Sequence, residues 1–223
     1  MPDPYALEEF DRDGAVSEAI EGLDQSTTRS GMLRRIGLVA GGGLIAGAVP
    51  FALANAQGGL PKGDIDILNF ALTLEYLESA FYAEAVSKGN LKDSAVQSFA
   101  TTVAGHEATH VSALQKVLGA KAVKKPNFDF KNTTGSQKTF LATSKVLEDT
   151  GVSAYQGQGP NIKTGAVLAS AGSILAVEAR HAAWVRNLIG DGKSLKPAPD
   201  AFSPAKSMSE ILAAVKGTGF IKS

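Results

Sequence analysis

The sequence predicts an all-α protein built on a bundle of four long helices. Apolar side chains recur at helical spacing along four segments within residues 64–190, and glycine- or proline-containing breaks separate these segments. A Glu-x-x-His pair occurs on the second segment, as Glu107 with His110, and again on the fourth, as Glu178 with His181. This spacing puts the two side chains of each pair on one helix face, where both can reach a single metal ion.

The first helix is predicted over residues 64–88, where Asp64 or Asp66 can cap its first turn. Its apolar stripe contains Glu75. A lone carboxylate in an apolar face is costly to bury, and a metal ion would balance its charge. Glu78 lies one turn further along and is the alternative ligand to Glu75.

The second helix is predicted over residues 92–118, and its apolar face carries the first Glu-x-x-His pair. His106 precedes Glu107 and projects away from it, which places it on the surface or beside the metal ligands. Residues 120–135 contain Pro126 and show no helical pattern. A connection of this length is long for a simple turn, so it is predicted to cross the bundle.

The third helix is predicted over residues 136–155, with Glu148 on its apolar stripe. Three glycines, at positions 151, 157 and 159, predict that it ends early. The fourth helix is predicted to begin near Pro160 and to end at Gly190. In the extension of residues 191–223, Ser207-x-x-Glu210 is a capping-box pattern and predicts a short helix over 208–216.

The four segments form an internal repeat of two helical hairpins. Glu75 and Glu148 each follow a leucine, and each is followed two helical turns later by a tyrosine, Tyr82 or Tyr155. Each tyrosine is a candidate hydrogen-bond donor to the metal ligands, with ordinary core packing as the alternative. The complete candidate ligand set is Glu75, Glu107, His110, Glu148, Glu178 and His181.

This pattern resembles the ferritin-like di-metal carboxylate superfamily, in which two helices each supply a Glu and two others each supply a Glu-x-x-His pair. The resemblance covers residues 64–190. The run of residues 68–78, Leu-Asn-Phe-Ala-Leu-Thr-Leu-Glu-Tyr-Leu-Glu, looks most like the ferritin-like domain of bacterial and desiccation-related proteins. The resemblance implies a four-helix bundle with a long crossover between helices 2 and 3, followed here by the short C-terminal helix.

The resemblance also implies two metal ions. Glu75, Glu107 and His110 would serve one ion, the second set would serve the other, and some carboxylates would bridge them. Imidazole and carboxylate ligands favour Fe or Mn, and the absence of cysteine excludes thiolate sites, iron–sulfur clusters and disulfides.

Three functions remain open at this stage. One is a di-iron or di-manganese oxidoreductase that acts on O₂ or peroxide, or oxidises Fe(II), in oxidative or desiccation stress. A second is a manganese-catalase-like enzyme, and a third is a non-catalytic, metal-bound structural or stress protein of the envelope. Assembly into a homo-oligomer is left open. Lys plus Arg and Asp plus Glu number 22 each, so net charge gives no indication of a nucleic-acid partner.

The N-terminal residues 1–56 are predicted to be an export signal of the twin-arginine type with a polar extension. Arg34 and Arg35 precede an apolar, glycine-rich run that ends at Ala54-Asn55-Ala56, a small-residue cleavage pattern. Residues 57–63 would be a linker. The expected location is the periplasm, the cell envelope or the extracellular space, with membrane contact only if the signal stays uncleaved.

Overall fold

The computed structural model describes residues 59–190 and 196–222. The predicted export signal, the linker up to residue 58 and residues 191–195 of the C-terminal extension lie outside them. Among the helices of the described residues, none is both long enough and apolar enough to span a bilayer.

Four long helices form the bundle and pair as two hairpins. The first hairpin packs α1 against α2, the second packs α3 against α4, and the hairpins meet along α1 with α3 and α2 with α4. The predicted all-α bundle with a short C-terminal helix is therefore confirmed. The helices are α1 (Lys62–Lys88), α2 (Ser94–Leu118), α3 (Gln137–Gln158), α4 (Gly165–Ile189) and α5 (Met208–Thr218).

Side-chain caps begin three of these helices. Asp93 accepts hydrogen bonds from the backbone N–H groups of the first turn of α2, and Ser136 accepts one from Thr139 at the start of α3. The capping box predicted for α5 is confirmed: the Ser207 side chain accepts from the backbone of Glu210, whose carboxylate accepts from the backbone of Ser207.

The cap predicted for α1 is wrong. This helix begins after Pro61 without a side-chain cap, and Asp66 pairs with Lys62 on the surface. Asp64 is fully buried and instead accepts hydrogen bonds of 2.9 Å from the backbone N–H groups of Lys163 and Thr164, just before α4. The first helix thus holds the start of the fourth, a contact between segments far apart in the chain.

The predicted boundary between α3 and α4 is also displaced. The third helix continues to Gln158, Pro160 lies in a 3₁₀ turn, and α4 begins only at Gly165. The C-terminal segment crosses α3 so closely that a Cβ atom at Gly157 would lie 1.9 Å from the Lys206 carbonyl oxygen. Gly157 therefore permits this crossing and does not end the helix.

The crossover after α2 contains a short strand that the sequence pattern did not reveal. Strand β1 (Asn127–Phe128) pairs antiparallel with β2 (Ile221–Lys222) near the end of the chain. Phe130, just after β1, is buried and packs edge-on against Phe81 and Phe220. The C-terminal extension is in this way attached to the crossover and to the core.

The core consists of two apolar clusters. An aromatic cluster centres on Phe81, Tyr82, Phe99 and Phe140, and an aliphatic cluster centres on residues such as Leu72, Leu114 and Ile174. Along α1, Leu72 precedes Glu75 whereas Phe81 and Tyr82 follow it. The buried carboxylates of the bundle therefore lie near the junction of the two clusters.

Asp64→Ala should destabilise the protein by about 2 kcal/mol, because two backbone N–H groups before α4 lose their buried acceptor. Urea unfolding in the presence of a chelator measures this change. Asp66→Ala is the matched control on the same turn, and its exposed ion pair should contribute less than about 0.5 kcal/mol. Equal stabilities of the two variants would contradict the assigned contact.

Candidate metal centre

The structure brings all six candidate ligands together inside the bundle. Each of the four long helices contributes at least one of them, and their side chains are between 0 and 8 % exposed. The ligand atoms they offer form two overlapping groups, and the atoms within a group lie within 4.8 Å of one another. The first group is Glu75, Glu107, His110 and Glu178; the second is Glu107, Glu148, Glu178 and His181.

The first group is arranged around His110. Its Nδ1 atom lies 3.2 Å from Glu75 Oε2, 3.3 Å from Glu107 Oε2 and 3.3 Å from Glu178 Oε1. Two ligand atoms that are each about 2.1 Å from one ion, at an angle of about 100°, lie roughly 3.2 Å apart. The spacing of these atoms is therefore the spacing of ligands around one metal ion.

The second group is arranged around His181 in the same way. Its Nδ1 atom lies 3.2 Å from Glu107 Oε1 and 3.2 Å from Glu148 Oε2. Glu107 thus directs one carboxylate oxygen to each histidine, and Glu178 also belongs to both groups. The sequence did not reveal which carboxylates are shared; the structure identifies Glu107 and Glu178.

Several ligand atoms lack a hydrogen-bond partner although they are buried. They are Glu107 Oε1, Glu148 Oε2, both carboxylate oxygens of Glu178 and His181 Nδ1. Buried polar atoms are normally hydrogen-bonded, and these atoms face one another across a short gap instead. The residues present are therefore compatible with bound metal ions, which would satisfy the orphaned atoms.

Two tyrosines hold the outer carboxylates, and they do so across the two hairpins. The Tyr155 hydroxyl of α3 donates to Glu75 Oε1 of α1 at 2.5 Å, and the Tyr82 hydroxyl of α1 donates to Glu148 Oε1 of α3. In both carboxylates Oε2 is left to face a histidine. The sequence repeat placed each tyrosine on the same helix as one glutamate, whereas the hydrogen bond goes to the other one.

His106 contacts the site from outside. Its Nδ1 atom lies 2.8 Å from His181 Nε2, and the two rings stack with centroids 5.1 Å apart. Since His181 Nδ1 faces the carboxylates, this contact holds the opposite edge of the ring. The sequence left His106 between a surface position and a position beside the ligands. It is both, and only the packing of α2 on α4 reveals the contact.

Glu78 is a seventh buried carboxylate beside the site. Among the described residues the two groups include Glu75 and not Glu78, which answers geometrically the choice that the sequence left open. A Cβ atom at Gly151 would lie 3.0 Å from Glu178 Oε2 and 3.5 Å from Glu78 Oε1. Gly151 was expected to weaken α3, but the helix continues through it, and the missing side chain makes room for the two carboxylates.

Crowding of carboxylates dominates the electrostatics of the metal-free site. Burial, and then the charges of neighbouring carboxylates, raise the pKa values of Glu78, Glu107 and Glu178 well above the ordinary range. Burial also acts on Glu75, but nearby His110 lowers the pKa of its carboxyl overall. The pKa of His110 is raised, since Glu75 and the other carboxylates outweigh the effect of its burial.

Comparison with known proteins gives one family match. A model of a family described as "Ferritin-like domain" matches residues 63–191, which cover α1 to α4 and all six candidate ligands. A search of curated proteins found no match to the chain.

The metal-free protein should lose stability as the pH rises from about 5 to 8. A carboxyl whose folded-state pKa is raised contributes stability that is complete below its ordinary pKa of 4.5 and is lost as the pH rises through the folded-state pKa. His110 acts in the same direction above its ordinary pKa of 6.5. Glu75 has the opposite sign, but its lowered pKa acts below 4.5, outside this window.

Chemical unfolding with a chelator, repeated across this pH range, measures the trend. Glu178→Gln removes one of the crowded charges and should flatten the pH dependence, with the larger gain in stability at pH 8. A wild-type stability that rises with pH over the same range would contradict the predicted crowding.

Proposed function

Because the chain belongs to the ferritin-like domain family, we propose that it is a di-metal carboxylate protein that binds two iron or manganese ions and acts on O₂ or peroxide, or oxidises Fe(II). The observation that carries this proposal is the pair of overlapping ligand groups, which share Glu107 and Glu178. A single-ion site would need only one group.

The composition of the ligand set supports the choice of metal. Four carboxylates and two imidazoles, with no thiolate, suit Fe and Mn. Two divalent ions also balance the charge of four carboxylates. A pair of ions a few ångströms apart would supply two-electron chemistry on the two oxygen atoms of O₂ or peroxide.

The residues of the chain provide the setting for this chemistry. Glu107 and Glu178 keep the two ligand groups at a fixed separation, while Tyr82 and Tyr155 hold Glu148 and Glu75 in place through their hydroxyl groups. Burial of the ligands excludes bulk water. Glu78, whose pKa is raised by burial and by the neighbouring carboxylates, keeps a proton on its carboxyl beside Glu178.

Anaerobic titration with Fe(II) or Mn(II) should show two ions per chain and a folded state stabilised by about 3 kcal/mol at roughly a hundredfold excess over Kd. Glu107→Gln should weaken both sites, because its carboxylate belongs to both groups. Glu148→Gln should weaken chiefly the site of His181. Glu84→Gln, on the same helix as Glu75 but paired with Lys88, is the control and should keep both sites.

Calorimetry and thermal unfolding provide the binding measurement, and consumption of O₂ and peroxide by each metal form provides the activity. Peroxide removal without an added reductant would identify the manganese-catalase-like alternative. Metal binding without turnover would favour the non-catalytic envelope role. Equal melting temperatures with and without metal would contradict the di-metal proposal itself.

The export signal is a further part of the proposal, supported by the order of residues in the N-terminal segment: paired arginines, an apolar run and a small-residue site. The twin-arginine route carries folded proteins, which would allow metal loading before export to the periplasm or envelope. A role there in oxidative or desiccation stress follows from the proposed chemistry.

Replacing Arg34 and Arg35 together by lysine should leave the protein in the cytoplasm with its bundle folded. The paired arginines lie outside the bundle, so its fold does not depend on them. Fractionation of cells that express the double variant measures the distribution, with the wild-type chain as the control. Undiminished export of the variant would indicate the general secretory route instead.

A further inference from the structure

The two halves of the bundle differ in what surrounds their tyrosines. Tyr82 is enclosed by the rings of Phe81, Phe140 and Phe99, whose centroids lie 5.3, 5.7 and 5.8 Å from its own. Phe81 and Phe140 also stack on each other at 5.5 Å. All four side chains are fully buried, so this half is closed by aromatic packing.

The internal repeat shows what takes the place of these rings in the other half. When the two hairpins are aligned on their glutamates, Tyr155 corresponds to Tyr82. The positions of Phe81, Phe140 and Phe99 are then occupied by Ala154, Ile67 and Ser170, respectively. Three aromatic rings in one half therefore correspond to three smaller side chains in the other.

A cavity lies where these rings are missing. Its volume is about 20 Å³, enough for one molecule the size of water or dioxygen. Both Ala154 and Ile67 line it, together with Tyr155, and its other walls include Leu114, Ala171 and Ile174. The cavity is thus a local consequence of the asymmetry between the repeats.

The lining of the cavity selects for an apolar occupant. Its polar side chains are Tyr155 and Gln158, the rest of the wall is hydrocarbon, and the Tyr155 hydroxyl is donated to Glu75. A buried water takes about three hydrogen bonds, for which this wall is poorly suited, whereas apolar cavities in proteins bind apolar molecules and xenon. Dioxygen is apolar and has the required size.

The cavity also adjoins the metal centre. Tyr155 forms part of its wall and bonds directly to Glu75, and Leu74, the residue before Glu75, is another part of the wall. Ile174 lies one helical turn before Glu178. The first ligand group is therefore separated from the cavity by one layer of side chains, whereas the second group faces the closed aromatic half.

We propose that this cavity binds one small apolar molecule of the dioxygen class and supplies dioxygen to the His110 side of the metal centre. The binding site stands on the cavity alone, and the supply of dioxygen rests on the proposed function. The asymmetry assigns different tasks to the two halves: the aromatic half packs the core, and the aliphatic half admits the small molecule.

Xenon is the probe for the binding site, because it is apolar and is located directly in crystals of the full chain pressurised with the gas. We expect one xenon atom beside Tyr155 in the wild type, in both the metal-free and the metal-loaded protein. Ordered water in the cavity, or no xenon there, would overturn the proposed site.

Ala171→Leu extends a partly exposed wall residue into the cavity and should abolish xenon binding. Ala154→Val, a smaller change on the opposite wall, is the second variant if the first does not fold. Ala104→Leu is the matched control, since Ala104 is partly buried against the aromatic half. The control should bind xenon as the wild type does, and persistence of xenon in a folded, filled variant would overturn the site.

The supply of dioxygen is tested with Fe(II)-loaded protein at limiting O₂. The second-order rate constant for O₂ consumption should fall several-fold in the filled variant and stay unchanged in Ala104→Leu. Loss of xenon without any change in this rate would overturn the supply of dioxygen through the cavity. A wild type that binds xenon but neither binds metal nor consumes O₂ would overturn the proposed function and leave the apolar site standing.

Discussion

The structure depends on one electrostatic constraint: four carboxylates and two imidazoles are buried at the centre of an apolar bundle. No lysine or arginine neutralises them, and the orphaned oxygens of Glu178 show that hydrogen bonds do not satisfy them either. In the metal-free chain, protons and the charge of His110 offset the repulsion only in part. Divalent cations balance this arrangement, so folding and metal binding are expected to be coupled.

Contacts between the two hairpins keep the ligands at this spacing. Tyr82 and Tyr155 each reach from one hairpin to a glutamate of the other, and Glu107 of the first hairpin faces His181 of the second. Asp64 adds a further link, from α1 to the start of α4. The site is therefore a product of hairpin docking, and a single hairpin would supply only half of the ligands for each ion.

The internal repeat is symmetrical in its ligands and asymmetrical in its packing. The glutamates, the Glu-x-x-His pairs and the tyrosines recur in both hairpins, whereas the rings around Tyr82 have no counterpart around Tyr155. The ligand geometry needs the same chemical groups on both sides. Access to the site needs only one opening, and this difference explains why one half is closed and the other contains a cavity.

The sequence by itself determined the helical class, the capping box of α5 and the six residues that meet in the core, because helix periodicity and Glu-x-x-His spacing are local properties of the chain. Only the tertiary structure decided which carboxylates are shared, which glutamate each tyrosine holds, and that His106 contacts His181. It also reversed the role of Gly151, from a helix breaker to a space for carboxylates. These features depend on distances between segments far apart in the sequence, which no local pattern encodes.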